Sequence, residues 1–257
     1  MRLRLVSWNI HSCNGTDRKH DPARIAHALR TLDADIIGLQ EVDWREGLHN
    51  GREQHQAIAA ELRMHAIAGP NLRDDKGEFG NALITRLPVE SVHRLDLSTP
   101  GVEPRGAIDA VLRHHEGTVR AVVTHLGLNR KERNAQLNRL AKHLKQPHPE
   151  DQLNAHRPKP HTTPRCLMGD LNEWRPTRRA LAPLMPELFD AAVAPRTFPT
   201  RWPLFPLDRI LAGPAPVLTR RINPEDKRFR VASDHLPVVI DAEWPTPAEN
   251  SPPHDLT

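Results

Sequence analysis

Short apolar runs that each stop at a small cluster of polar residues recur along this chain, and no other feature narrows its fold as far. Val6-Ser7-Trp8-Asn9 closes the first run and Gly38-Leu39-Gln40-Glu41 the second. Val122-Val123-Thr124-His125 closes another, and Leu167-Met168-Gly169-Asp170-Leu171-Asn172 the next. Ser233-Asp234-His235-Leu236-Pro237 stands before the last. Short apolar runs of this kind read as buried strands. Open sheets place ligands beyond their strand ends, so the polar clusters are candidates for a site.

Helical patterns lie between the runs. Asp21-Pro22 has the composition of an N-cap followed by proline at the first helical position, and Ile25, Ala28, Leu29 and Leu32 continue one apolar face. Helices are also expected over 53–64, where Ile58 and Leu62 point inward, over 131–144 with Leu137, Leu140 and Leu144 on one face, and near 177–185. Strands are expected at 2–10, 35–40, 80–86, 107–113, 119–126, 165–169, 208–212 and 236–243. Two pairs, 80–86 with 107–113 and 107–113 with 119–126, look like hairpins. A purely parallel sheet would not contain them, so the pattern predicts an α/β fold with mixed sheets and helices outside. Residues 1–244 read as one domain. The Pro- and His-rich 146–164 segment reads as an exposed loop without regular metal-ligand spacing, and the Pro-rich 245–257 segment as a disordered tail.

Charge and composition bound the partners. The net charge is +4, and residues 175–230 hold eleven Lys or Arg against five Asp or Glu. A basic surface favours a phosphate-bearing partner, or it serves solubility alone. Aromatic residues are only 4% and tyrosine is absent, so stacking platforms for single-stranded nucleic acid are not advertised. The opening MRLRLVSWNI lacks the apolar stretch of a signal peptide, and no run reaches the length of a membrane span. Cys13 and Cys166 make neither a disulfide framework nor a metal motif, and a reducing cytoplasm is the expected setting.

Taken singly, each polar cluster has a structural reading. An Asn or Glu after a strand is ordinarily a turn or cap residue. Asp170 and Asn172, two apart, either point the same way from an extended backbone or form an Asx-turn. The ordered set says more. An Asn after a strand, then LQE, TH, GDxN and SDHxP, in that order from about Leu3 to Trp244, resembles the endonuclease/exonuclease/phosphatase superfamily. That resemblance implies the deoxyribonuclease-I-like fold, a four-layer α-β-β-α sandwich of two mixed sheets with the site at one rim.

The resemblance also implies a chemistry. Mg²⁺ or Mn²⁺ takes oxygen ligands and retains water, which suits Glu41, with Asn9 and Asp234 added by the family pattern. Asp170 would activate the attacking water, and Asn172 and His125 would hold the phosphoryl oxygens. His235 would be oriented by Asp208, for which a salt bridge to Arg209 or Arg201 is the structural alternative. Asn81, within FGNALITRLPV, either reaches the substrate or packs. Arg105, within EPRGA, either clamps a phosphate or lies on the surface. Arg133 and Gln136 read as helix-surface and structural contacts.

Glu41 is followed by Val42-Asp43 rather than Thr-Lys, and the chain has no tyrosine, which argues against the abasic-site repair branch. LQEV is similar to branches that contain sphingomyelinases, deadenylases, tyrosyl-DNA phosphodiesterases and small bacterial phosphodiesterases. The expected activity is metal-dependent hydrolysis of a phospholipid or small phosphodiester. The alternatives are a DNA or RNA nuclease and a non-catalytic phosphate-binding protein. Peripheral membrane contact is open to a basic face, and Trp202, Leu204 and Phe205 either meet an interface or fill core.

Overall fold

The computed structural model describes residues 1–44, 53–75, 77–146, 163–175, 178–185, 187–220 and 226–245. The expected loop and tail therefore fall, apart from their edges, outside the described residues. Two six-stranded sheets lie face to face. The first has the order β11 (Val217–Arg220), β12 (Val238–Glu243), β1 (Arg2–Asn9), β2 (Ile36–Asp43), β4 (Gly77–Thr85), β3 (His65–Asp74). The second runs β5 (Val89–Asp96), β6 (Gly106–His114), β7 (Gly117–His125), β8 (Arg165–Asp170), β10 (Asp208–Gly213), β9 (Ala191–Val193). Each sheet is antiparallel except at its centre, where β1 lies parallel to β2 and β7 to β8. Parallel neighbours need a crossover, supplied by α1 (Pro22–Arg30) and by α3 (Arg130–Leu144).

Strand alternation divides the apolar residues among three cores. Leu3, Leu5, Ile36, Leu83, Val123, Met168, Ile210 and Val238 fill the space between the sheets. Val6, Trp8, Ile37 and Leu39 face the other way, against Ile25 and Leu29 of α1 and Ile58 of α2 (Gln54–Leu62). Val122, Leu167 and Leu211 meet Leu137 and Leu140 of α3. Helix, sheet, sheet and helix follow in layers, as the resemblance implied. Gly38 lets the sheets approach, because a Cβ there would come within 3.0 Å of Met168 and Val123.

Local signals hold where expected. The Asp21 side chain accepts from Arg24 N at 2.9 Å and Pro22 opens α1, a cap that contributes about 1 kcal/mol. Both cysteines are free and buried. Among the described residues no helix is long and apolar enough to cross a membrane.

Two expectations are corrected. Strands 80–86 and 107–113 are not a hairpin: β4 pairs with β2 and β3, β6 pairs with β5 and β7, and the two strands lie in opposite sheets. The error came from missing β3 and β5. Both carry many partly exposed polar residues at sheet edges, which blurs their alternation. The helix near 177–185 is a short 3-10 turn, Arg178–Leu181, as a stretch interrupted by prolines permits. A short helix, α4 (Lys227–Ala232), went unforeseen.

Candidate active site

Along β1 the side chains facing the opposite sheet run Leu3, Leu5, Ser7, Asn9, apolar at one end and polar at the other. The same change occurs in β2 (Ile36 to Gln40), β7 (Val123 to His125), β8 (Met168 to Asp170) and β10 (Ile210 to Asp208). All five strands turn polar at the same end of the inter-sheet core. The site is that polar end.

The parallel registers fix the pairs. Asn9 stands opposite Gln40, and His125 opposite Asp170. Asn9 Nδ2 donates to Glu41 Oε1 at 2.8 Å and across the sheets to Asp170 Oδ2 at 3.1 Å. Glu41 leaves the strand's alternation at a bulge between Leu39 and Val42, with φ of +54°. A left-handed conformation costs a non-glycine residue about 1–2 kcal/mol, and such strain collects at functional sites. Burial pushes the Glu41 carboxyl up, and the nearby Asp170 and Asp234 add to the rise.

Asp170 does two jobs at once. Its Oδ1 accepts from Asn172 N at 2.9 Å, an Asx-turn that places Asn172 at φ +50°. Its Oδ2 faces the site, 3.6 Å from His125 Nε2 and 3.8 Å from His235 Nε2. Gly169 beside it is required by packing, since a Cβ would lie 2.3 Å from Thr124 O.

The two imidazoles differ in charge. His235 Nδ1 meets Asp208 Oδ2 at 2.8 Å. Burial alone would lower its pKa, but Asp208, Asp170 and Asp234 raise it to about 10, so the ring is an imidazolium. Asp208 is fully buried and also accepts from the Thr197 hydroxyl; among the described residues it forms no salt bridge to Arg209 or Arg201. Asp170, Asp208 and His235 bring ligand atoms within 4.8 Å of one another. A protonated ring bound to its carboxylate is a poor metal ligand, so this trio suits proton handling better than coordination. His125 is the opposite case: burial, then Arg105 and His235, push it down to about 3 despite Asp170. Both its ring nitrogens face donors, Arg105 Nη1 at 3.4 Å and Asn172 Nδ2 at 3.1 Å. The Asn172 amide cannot simply turn over, because the same nitrogen donates to Leu126 O at 2.8 Å. Donors therefore exceed acceptors here, the balance an anion prefers.

The structure thus brings together Asn9, Glu41, His125, Asp170, Asn172, Asp208 and His235 with Arg105. Arg105 is buried rather than on the surface and also pairs with Glu103 at 2.9 Å. Asp234 is partly exposed beside His11, 3.8 Å away. Asn81 is buried and donates to Gly106 O at 3.2 Å, which ties the sheets together beneath the site. Arg133 and Gln136 are buried and hold the backbone at Gly127, as structural contacts rather than surface.

Two participants, Thr197 and Phe198, escaped the sequence reading, and two more, Gln40 and Ser233, were given no role of their own. Thr197 holds Asp208, Phe198 packs on His235 with ring centroids 4.7 Å apart, Ser233 Oγ donates to Asn9 O at 2.7 Å, and Gln40 lies buried beside Glu41. Gln40 was visible within LQE; nothing in the sequence points to Thr197 or Phe198. Ser7 Oγ, both Gln40 amide atoms and Asn81 Oδ1 are buried without a protein partner. Together with the mutually repelling Glu41, Asp170 and Asp234, this donor set fits a hydrated hard cation.

Fold and site define a phosphoester hydrolase, and a family profile gives the same class. The Endonuclease/Exonuclease/phosphatase family matches residues 6–235, and the chain belongs to that family. The uncharacterized protein YbhP of Escherichia coli (strain K12) is 29% identical over 253 residues, 92% of this chain and 94% of its own. A solved endonuclease/exonuclease/phosphatase from Beutenbergia cavernae superposes with TM-score 0.74 at 22% identity, covering 95% of this chain and 72% of that one. The human Nocturnin catalytic domain with a bound sulfate anion gives 0.69 at 20% identity, covering 95% and 94%.

Proposed function

We propose that this chain hydrolyses a phosphodiester of a lipid headgroup or another small molecule with the help of Mg²⁺ or Mn²⁺. One observation carries the reading: a single carboxylate, Asp170, is reached by groups from both sheets, Asn9 on one side and His125 on the other, with His235 beside it. Glu41, Asn9 and Asp234 would hold the cation, which would supply Lewis-acid stabilisation of the negative charge developing on the phosphoryl and leaving oxygens.

The remaining roles follow from charge. Asp170, whose Oδ1 is fixed by Asn172, takes a proton from water, and the water oxygen attacks phosphorus. The ester P–O bond breaks, and its oxygen leaves with the bonding pair. His235, held charged by Asp208, donates to the phosphoryl group or protonates the leaving oxygen. Arg105, Asn172 and neutral His125 supply hydrogen bonds to the phosphoryl oxygens as negative charge builds. The sulfate of the similar Nocturnin domain supports a tetrahedral anion in this fold.

A nuclease is the second reading, favoured by Trp174 and Phe205, whose ring centroids lie 5.5 Å apart near the site and could stack a base. The deciding experiment offers bis-p-nitrophenyl phosphate, p-nitrophenyl phosphate, DNA, RNA and phospholipid vesicles, with Mg²⁺, Mn²⁺ or EDTA. Metal-dependent cleavage of small or lipid diesters with nucleic acid intact is the expected result. Cleavage of nucleic acid alone establishes the second reading, and phosphate binding without turnover of any ester leaves only a binding protein.

A further inference from the structure

Among the described residues, six of the eight large apolar side chains that remain exposed belong to segments that carry site residues, Val217 and Val231 being the others. Leu128, 73% exposed, follows His125 closely, and Trp174, 61% exposed, follows Asn172. Trp202, 69% exposed, and Leu204 and Phe205 sit on the loop between Thr197 and Asp208, and Val102 precedes Arg105. Val217, by contrast, lies on β11 beside the far end of β12. Scattered single exposures are ordinary, but a group rimmed by charge around one site marks an interaction surface.

The loop that carries three of these side chains is anchored. Leu204 N and Phe205 N both bond Phe198 O at 2.9 Å, and Thr200 N bonds Asp234 O at 2.7 Å. Its base is thereby tied to Asp234 and, through the Phe198 ring, to His235. The base of the loop is therefore fixed beside Asp234 and His235. Trp174 reaches the same loop through Phe205.

Exposed cations stand beside the apolar groups. Arg130 and Lys131 follow Leu128, Arg175 follows Trp174, and Arg201 precedes Trp202. None of the four is ion-paired among the described residues. Tryptophan and leucine at loop tips with adjacent arginines match the boundary of a bilayer, where the rings sit at headgroup level and the cations meet anionic lipid. A nucleic-acid platform relies on rings, to which Leu128, Leu204 and Val102 contribute nothing.

We infer that the rim formed by Leu128, Trp174, Trp202 and Leu204 docks the catalytic mouth onto an anionic lipid bilayer. The inference rests on the hydrolase reading only in naming where the substrate lies. Docking would hold the mouth against the headgroups while the site stays fixed within the sheets.

The test separates binding from turnover. The full chain is sedimented in EDTA with phosphatidylcholine vesicles and with vesicles doped with phosphatidylglycerol. It is expected to pellet with the doped vesicles and to release in high salt. Trp202→Ser combined with Leu204→Ser should weaken vesicle partition about 100-fold. Hydrolysis of bis-p-nitrophenyl phosphate with metal should stay within about twofold, because neither side chain touches the site. Wild-type protein left in the supernatant with both vesicle types overturns the inference, as does a double variant that pellets like wild type. Loss of single-stranded DNA binding in that variant, without vesicle binding in the wild type, assigns the rim to nucleic acid instead. Vesicle binding with no metal-dependent turnover of any ester leaves docking standing and removes the hydrolase reading.

Discussion

The two sheets repeat one plan with different chemistry. In each, a parallel pair joined by a crossover helix lies between antiparallel neighbours: β12-β1-β2-β4 in the first sheet and β6-β7-β8-β10 in the second. The first pair ends in Asn9 opposite Gln40, next to Glu41, and the second in His125 opposite Asp170, next to Asn172. On the proposed function the first half would offer oxygens to a hard cation and the second an imidazole and a base. The outer faces also share a device. Arg4 of β1 pairs with Asp241 of β12 at 2.8 Å, and Arg120 of β7 with Asp109 of β6 at 2.7 Å. The first pair is partly exposed at Arg4, while the second is buried and joined by His143 of α3 at 2.7 Å. The fold supplies matching positions; in the proposed function the side chains divide binding from reaction between the halves.

The strongest way to break this division is to remove one carboxylate from each half. Asp170→Ala should lower kcat about 10²–10⁴-fold at saturating metal, with the chain still folded at the assay temperature. Glu41→Ala should raise the Mg²⁺ needed for half-maximal activity by about 100-fold or more, measured by metal titration. Equal metal dependence in the two variants would end the assignment of roles by half. Asp208→Asn comes next: it leaves His235 without its main charge partner and should cost about 10²-fold in kcat, with the acid–base profile of the rate shifted.

The outer-face pairs sharpen the comparison on stability. Asp109→Ala strands the buried Arg120 and should cost about 3–5 kcal/mol in denaturant unfolding. Asp241→Ala leaves the more exposed Arg4 and should cost about 1 kcal/mol. Equal losses would mean that burial does not separate the halves. The pH dependence has a definite sign. Although burial opposes it, Arg120 and His143 hold the Asp109 carboxyl down to about 2. Its stabilisation of about 2–3 kcal/mol is full above the unfolded value near 3.8 and fades as pH falls toward 2. Asp109→Asn should flatten that part of the acid-unfolding curve. The smallest effect is expected from Asp21→Ala, which removes the α1 cap and should cost about 1 kcal/mol.

Much of this was legible beforehand, residue by residue. Asp21-Pro22 announced α1, and the apolar runs announced β1, β2, β7, β8, β10 and β12, because buried strands must be apolar over a few residues. Edge strands β3 and β5 were missed because water on one side relaxes that demand. Asp170 with Asn172 was readable in GDLN as either a turn or a site; the structure shows the turn and sets the free Asp170 oxygen beside His125 and His235. Thr197 and Phe198 could not be read. Their contacts to Asp208 and His235 depend on how a loop returns across the sheet, and no local pattern encodes that return.

The sequence by itself determined the central strands, the crossover helices and the ordered set of polar clusters, since those depend on local periodicity and residue type. It did not determine that His125 is neutral while His235 is charged, for both are simply histidines after or before a strand. Tertiary structure decided this by burying His125 beside Arg105 and His235 beside Asp208. It also decided that Arg105 is internal and that Trp174 and Trp202 stay exposed. Burial and charge proximity are sums over residues distant in the chain, so they exist only once the sheets have closed on each other.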